Sequence, residues 1–196
     1  MKWNRYLRGK RVDLRPVEPG DLDRIAEWRN APAIWRRFFN PVPIARWPQK
    51  AWLKTLRKDP SRLLLAIADR QSQLAVGTIG FDRIDPRNQS AEVGNLLIGD
   101  ADYRGRGIAS ESCLLLLDLA FARLNLRRIS LHVFADNEPA IGLYRSLGFR
   151  EEGRLREAMF VDGRFNDVLV MALMREDTGC QMPDTGCRRL DGGGRA

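Results

Sequence analysis

Cysteine and histidine are scarce in this chain: its 196 residues hold 3 of the first and 1 of the second. A disulfide framework wants an even set, and a zinc site wants more ligands than His132 and three scattered thiols supply. Neither a disulfide scaffold nor a metal site is expected. Long apolar runs are missing too. Nothing approaches the ~20 residues that cross a bilayer, and the opening "MKWNRYLRGKR" lacks a signal-peptide core. The expectation is a cytoplasmic protein with no membrane partner. Long basic runs are also absent: Arg36-Arg37, Arg127-Arg128 and Arg188-Arg189 are only pairs. The net charge of +8 therefore does not by itself mark a nucleic-acid surface. It suits a solvated basic surface, or a pocket for a small anion, equally well.

What is present is ordinary globular composition, 44% hydrophobic and 30% charged, at a length that fits one domain with a real core. "RVDLRPV" alternates as a strand does, and Asp21 is placed to cap a helix running to about Asn30. Pro32, Pro41, Pro43 and Pro48 break up an aromatic stretch, and a second helix is expected from about Gln49 to Lys58. Arg62–Asp69, Leu74–Ile84 and Ala91–Gly99 read as three strands on short turns, an antiparallel meander. A helix (about Ile108 to Leu124), a β-branched strand, a shorter helix stopped by Gly148 and a hairpin turning at Asp162-Gly163 complete the order. The sum is β-α-α-β-β-β-α-β-α-β-β: an α/β mixed sheet, mostly antiparallel, flanked by helices. One domain is expected over 1–178, with a disordered Gly-rich tail at 179–196.

Between two apolar runs lies "YRGRGIASES", Tyr103 to Ser112. It is not a kinase-type phosphate loop, because no Lys-Ser/Thr pair follows Gly107. Nor does it suit a dinucleotide fold: "DADY" separates strand from glycines, and no acid stands about 20 residues on. A glycine turn opening a helix does aim free N–H groups at one spot, aided by the helix dipole and by Arg104 and Arg106. A pyrophosphate is a good occupant.

Arg104-x-x-Gly107-x-Ala109 resembles the [QR]-x-x-G-x-[GA] signature of the GNAT superfamily of acetyl-CoA-dependent N-acetyltransferases. "LHVFADNEPAIGLYRSLGF" is similar to that family's second block, and "AEVGNLLIG" with the final hairpin resembles its ribosomal-protein alanine, spermidine and amino-sugar branch. The resemblance covers roughly Arg11 to Arg175. It implies that the backbone of Leu97, Ile98 and Gly99 pairs with the pantetheine arm, and that Arg104, Gly105, Arg106, Gly107, Ile108 and Ala109 hold the pyrophosphate. It further implies that Asn137 bonds the pantetheine side and that Tyr144 stands by the thioester sulfur. One extra residue between Glu92 and Arg104 points to an enlarged bulge in the lead-in strand.

The implied reaction is direct acetyl transfer to a primary amine, with Tyr144 as the acid for the leaving thiolate. Glu92 is named as proton acceptor; His132, the only histidine, is the alternative, and alternation leaves its face open. The acceptor is expected to be a small-molecule amine (amino sugar, polyamine or antibiotic), with a ribosomal protein N-terminus as second choice and a non-catalytic acyl-CoA binder as a distant third. Arg29, Arg36, Arg37 and Arg46 on the acceptor side favour an acceptor carrying negative charge. Acetyl-CoA and that amine are the expected partners; nucleic acid enters only through a ribosome-bound substrate, and a homodimer stays open.

Overall fold

The computed structural model describes residues 7–39, 43 and 49–178. Arg46, Cys180, Cys187 and the Gly-rich tail expected at 179–196 lie outside them. Seven strands form one sheet: β1 (Val12–Pro16), β2 (Leu63–Asp69), β3 (Ala75–Asp85), β4 (Ser90–Ile98), β5 (Arg128–Phe134), β6 (Arg150–Val161) and β7 (Arg164–Met174). Their order is β1-β2-β3-β4-β5-β7-β6. Every neighbouring pair is antiparallel except β4 and β5, which run parallel. A parallel pair needs a long crossover, and α4 (Ile108–Asp118), extended by a π-helical turn over Leu119–Arg123, supplies it.

The helices cover both faces. Beneath α4 and α5 (Glu138–Ser146) lies the main core, with Leu14, Ile67, Phe81, Leu116, Ile129, Leu131 and Met171 nearly inaccessible. Each such side chain contributes about 1.5–3 kcal/mol relative to exposure. On the opposite face α1 (Leu22–Asn30), α2 (Pro32–Trp35) and α3 (Gln49–Leu56) close a second cluster that includes Ile25, Trp28, Leu53, Ala66 and Leu97. The period-two alternation of β2 divides Leu65 and Ile67 from Ala66 across the two cores.

Two local readings change. The proline-broken stretch contains a helical turn, α2, because Pro32 sits at its start, where the missing N–H costs nothing. Asp21 does not cap α1 with its side chain. Its carboxylate instead accepts from Arg15 at 2.7 and 2.8 Å and from the N–H of Glu18 at 2.8 Å. A buried guanidinium needs a partner more than a helix end reachable by water does.

Candidate active site

The site begins where β4 and β5 stop pairing. Their parallel ladder joins Ser90 to Arg128 and ends at Val93 opposite Leu131. Beyond that point the strands diverge, leaving a wedge-shaped gap in the sheet. β4 cannot follow β5 because it bulges: Thr78 faces Leu97 while Gly80 faces Gly94, so β4 carries one residue more than β3. Asn95 takes the left-handed conformation, φ 59°. The Thr78 hydroxyl donates to its carbonyl at 2.8 Å, and its amide donates to Asp82 at 3.1 Å. The bulge flips the parity of the strand. Ala91 and Val93 pack into the α4 core before it; Leu96 and Ile98 do so after it.

That flip decides which backbone groups face the gap. The N–H of Gly99 donates to Val76 at 3.0 Å, and Leu97 lies opposite Thr78; both residues are thus turned toward β3. By alternation Ile98 is turned toward the gap. Of the expected trio, Leu97 and Ile98 both line the opening, and Ile98 is the one whose main chain alternates away from β3. Arg104 is also differently engaged than its charge implies: its guanidinium donates to the carbonyls of Ile98 and Gly99, each at 3.0 Å, tying the glycine turn to the end of β4.

The turn itself has the conformation its composition demands. Gly105 and Gly107 have φ of 71° and 72°, the left-handed region that glycine enters freely. Gly107 opens α4, whose first intrahelical bond runs from Glu111 N–H to Gly107 O. The N–H groups of Ile108, Ala109 and Ser110 are therefore left without helical acceptors. Arg106 is exposed beside them. Arg11 braces the turn from β1, donating to the Arg106 carbonyl and, at 3.0 Å, to Glu111.

A cleft of about 860 Å³ runs through the gap and is lined from both faces of the sheet. Tyr144 of α5 and Asn137 line it on the α4–α5 side. Asn137 stands at the start of α5 and makes no capping bond with its side chain. Burial, with the Cys113 thiol adding to it, pushes the Tyr144 hydroxyl well above the usual phenol range. Cys113 is itself pushed up to about 12 by burial, a thiol that stays protonated and is no nucleophile.

Glu92 and His132 line the other side, on the face opposite Val93 and Leu131. Nδ1 of His132 lies 3.0 Å from Oε1 of Glu92, and Arg83 grips Oε2. A carboxylate only accepts, so Nδ1 carries the hydrogen and Nε2 is left with its lone pair. Burial and then the Arg83 charge hold the imidazole below its ordinary value. Phe39 meets the ring edge-on, 6.5 Å between centroids. Arg83 carried no sequence signal, since its contact arises from an irregularity between Asp82 and Asp85 that re-aims it.

A mixed sheet that splits between two parallel strands, with a helix-opening glycine turn at the foot of the split, defines an acetyl-CoA-dependent N-acetyltransferase. The chain belongs to the GNAT acetyltransferases: the family model described as "Acetyltransferase (GNAT) domain" matches residues 11–150. It is 32% identical over 165 residues to the spermidine N(1)-acetyltransferase of Vibrio cholerae, covering 84% of this chain and 93% of that protein. It is 31% identical to the uncharacterized N-acetyltransferase p20 of Bacillus licheniformis, covering 86% and 95%. The crystal structure of Vibrio cholerae spermidine N-acetyltransferase with CoA and spermine superposes with a TM-score of 0.80 at 29% identity, over 86% of this chain and 98% of that one.

Proposed function

We propose that this protein transfers an acetyl group directly from acetyl-CoA to the primary amine of a small molecule, with His132 as proton acceptor and Tyr144 as proton donor. The observation that carries the reading is the cleft at the β4–β5 split, which presents Tyr144 from one side and the Glu92–His132 pair from the other. The residues fit acetyl-CoA. The pantetheine arm lies along the Ile98 edge of β4 beside Asn137, with Leu97 and Gly99 shaping that edge from behind. The pyrophosphate sits on the free N–H groups of Ile108, Ala109 and Ser110, in the turn made by Gly105 and Gly107. Arg104 holds this turn to the strand, and Arg106 adds positive charge.

Acetyl-CoA supplies the acetyl thioester. The amine nitrogen bonds to the acetyl carbon as the carbon–sulfur bond breaks; the proton it sheds goes to His132 Nε2, and the thiolate takes one from Tyr144. Glu92 accepts from Nδ1 and so holds the imidazole in the tautomer that can receive a proton. It acts by positioning the base rather than as the base, since both its oxygens are engaged. The Tyr144 hydroxyl is protonated at neutral pH, as any phenol is, and burial makes it hold that proton more tightly until the leaving thiolate forms beside it.

The spermidine acetyltransferases among the relatives put polyamines in the first assay, alongside amino sugars, aminoglycosides and peptides with N-terminal Ala or Ser. Thiol release with acetyl-CoA against this panel is the test. Release with peptides alone would replace the small-molecule reading with N-terminal acetylation; acetyl-CoA binding without any release would leave a binder. Among the described residues no helix is long and apolar enough to cross a membrane, and we place the enzyme in the cytoplasm as one domain over 1–178. A homodimer is the other expected state, with Leu155, Phe160 and Phe165 exposing apolar surface on β6 and β7; sedimentation velocity reads it directly.

A further inference from the structure

The acceptor half of the cleft holds more positive than negative charge, and one of its cations has no counter-charge among the described residues. Arg29, at the end of α1, lines the cleft and is only partly accessible, its guanidinium stacked over the Phe38 ring at 4.5 Å. No carboxylate among the described residues pairs with it. The neighbouring cations are already engaged: Arg62 bonds Asp82 at 2.8 Å, and Arg37 bonds Asp136 at 2.8 Å. Burial, and then the charge of Arg62, pull Arg29 below its ordinary value, the mark of a cation that lacks compensation. No missing acid can come from the neighbouring stretch of chain, because no Asp or Glu stands between Glu27 and Asp59, while Arg and Lys recur through it.

The carboxylates of the cleft give the complementary observation. Asp82 and Glu92 are the two that line it, and each is committed, Asp82 to Arg62 and Asn95, Glu92 to Arg83 and His132. The remaining ammonium groups of a polyamine would find no free anion here and would face Arg29 at short range. An oxyanion meets the opposite situation. A guanidinium held over an aromatic ring keeps its planar fork of N–H donors, which suits two parallel bonds with a carboxylate or phosphate. Such a ligand also relieves the desolvation that Arg29 suffers alone.

Resting on the acetyl-transfer reading above, we infer that the acceptor is a small amine that also carries an oxyanion, carboxylate or phosphate, seated on Arg29 over Phe38.

The test compares matched amines with and without the anion, using acetyl-CoA as donor. Glucosamine 6-phosphate is set against glucosamine, γ-aminobutyrate against butylamine, and spermidine stands alone. The expected result is a kcat/KM for at least one member bearing the anion about tenfold or more above its partner lacking it, carried by KM. Which pair shows it tells phosphate from carboxylate. Arg29→Gln should bring the pair within about twofold while Arg29→Lys keeps part of the preference, with the KM for acetyl-CoA unchanged. Calorimetry of the preferred anionic amine against the protein–CoA complex should lose its signal in Arg29→Gln, and thermal unfolding checks that the variant is folded. Turnover of spermidine or of the amines lacking an anion that is indifferent to both the anion and Arg29 overturns this inference and leaves the transferase reading intact. No turnover of any amine, with acetyl-CoA still bound, overturns both.

Discussion

His132 and Glu92 meet through Nδ1 and Oε1 at 3.0 Å, although they belong to strands separated by the whole crossover helix. They meet because β4 and β5 run parallel with Glu92 opposite Ser130, which sets His132 one step further along the same face. Arg83 completes the set from β3. The arrangement fixes a neutral imidazole with one nitrogen free, in a cleft that also holds Tyr144.

Since this is the only histidine, its ring protons can be followed by NMR without assignment in untagged protein. The midpoint should lie below 6.5, and Arg83→Gln should raise it by removing a repelling charge. In that window the unfolded chain binds more protons than the folded one, so the site's contribution to stability falls as pH drops through 6.5 toward the folded midpoint. His132→Gln should lower kcat/KM by about 10²-fold. An unshifted midpoint with full activity in the variant removes His132 as the base.

Tyr144→Phe keeps the packing against Phe149, whose ring lies 5.7 Å away, and deletes only the hydroxyl. Turnover should fall by about 10² with acetyl-CoA affinity nearly unchanged. Pre-steady-state thiol release and acetyl-CoA titration separate the two effects; unchanged turnover excludes the hydroxyl as the acid.

Gly107→Val meets two obstacles. At φ 72° a β-branched residue is strained, by about 1–3 kcal/mol, and its Cβ would lie 2.9 Å from Arg11 Nη2. The turn should lose its shape and acetyl-CoA affinity should drop at least about tenfold. Retained affinity by calorimetry would show that the phosphates bind elsewhere.

Asp21 sits with Arg15 in the buried approach to α1, at 7% exposure each. Burial works against its ionisation, but the bonds from Arg15 and the Glu18 N–H prevail and hold it below the usual carboxylate range. Its contribution to stability is complete above the unfolded value and is lost as pH falls through the folded one. Asp21→Asn leaves a buried guanidinium without counter-charge and should cost about 3 kcal/mol, read as a shift in the denaturant midpoint. A change below about 0.5 kcal/mol would mean that water reaches Arg15.

Much of the molecule is legible in its residues. Alternation and 3–4 spacing place every strand and the long helices to within a few residues, because backbone periods are local properties. The Asp162-Gly163 hairpin and the glycine turn at Gly105 and Gly107 follow from which residues tolerate positive φ. The family follows from two motifs in order. The Asp21 side chain was legible only as a helix cap, since its claim on Arg15 depends on how deeply β1 is buried.

What the sequence by itself determined is the element order, the glycine turn that opens α4 and the class of enzyme, since each rests on residues near one another in the chain. The tertiary structure alone brings the candidate site residues together. A one-residue bulge at Asn95 turns the main chain of Ile98, rather than that of Leu97 or Gly99, away from β3. The parallel register brings His132 to Glu92, and the commitment of Asp82 and Glu92 to other arginines leaves Arg29 without a paired carboxylate among the described residues. These are contacts between distant segments. A shift of one residue in register would change all of them without altering any local pattern.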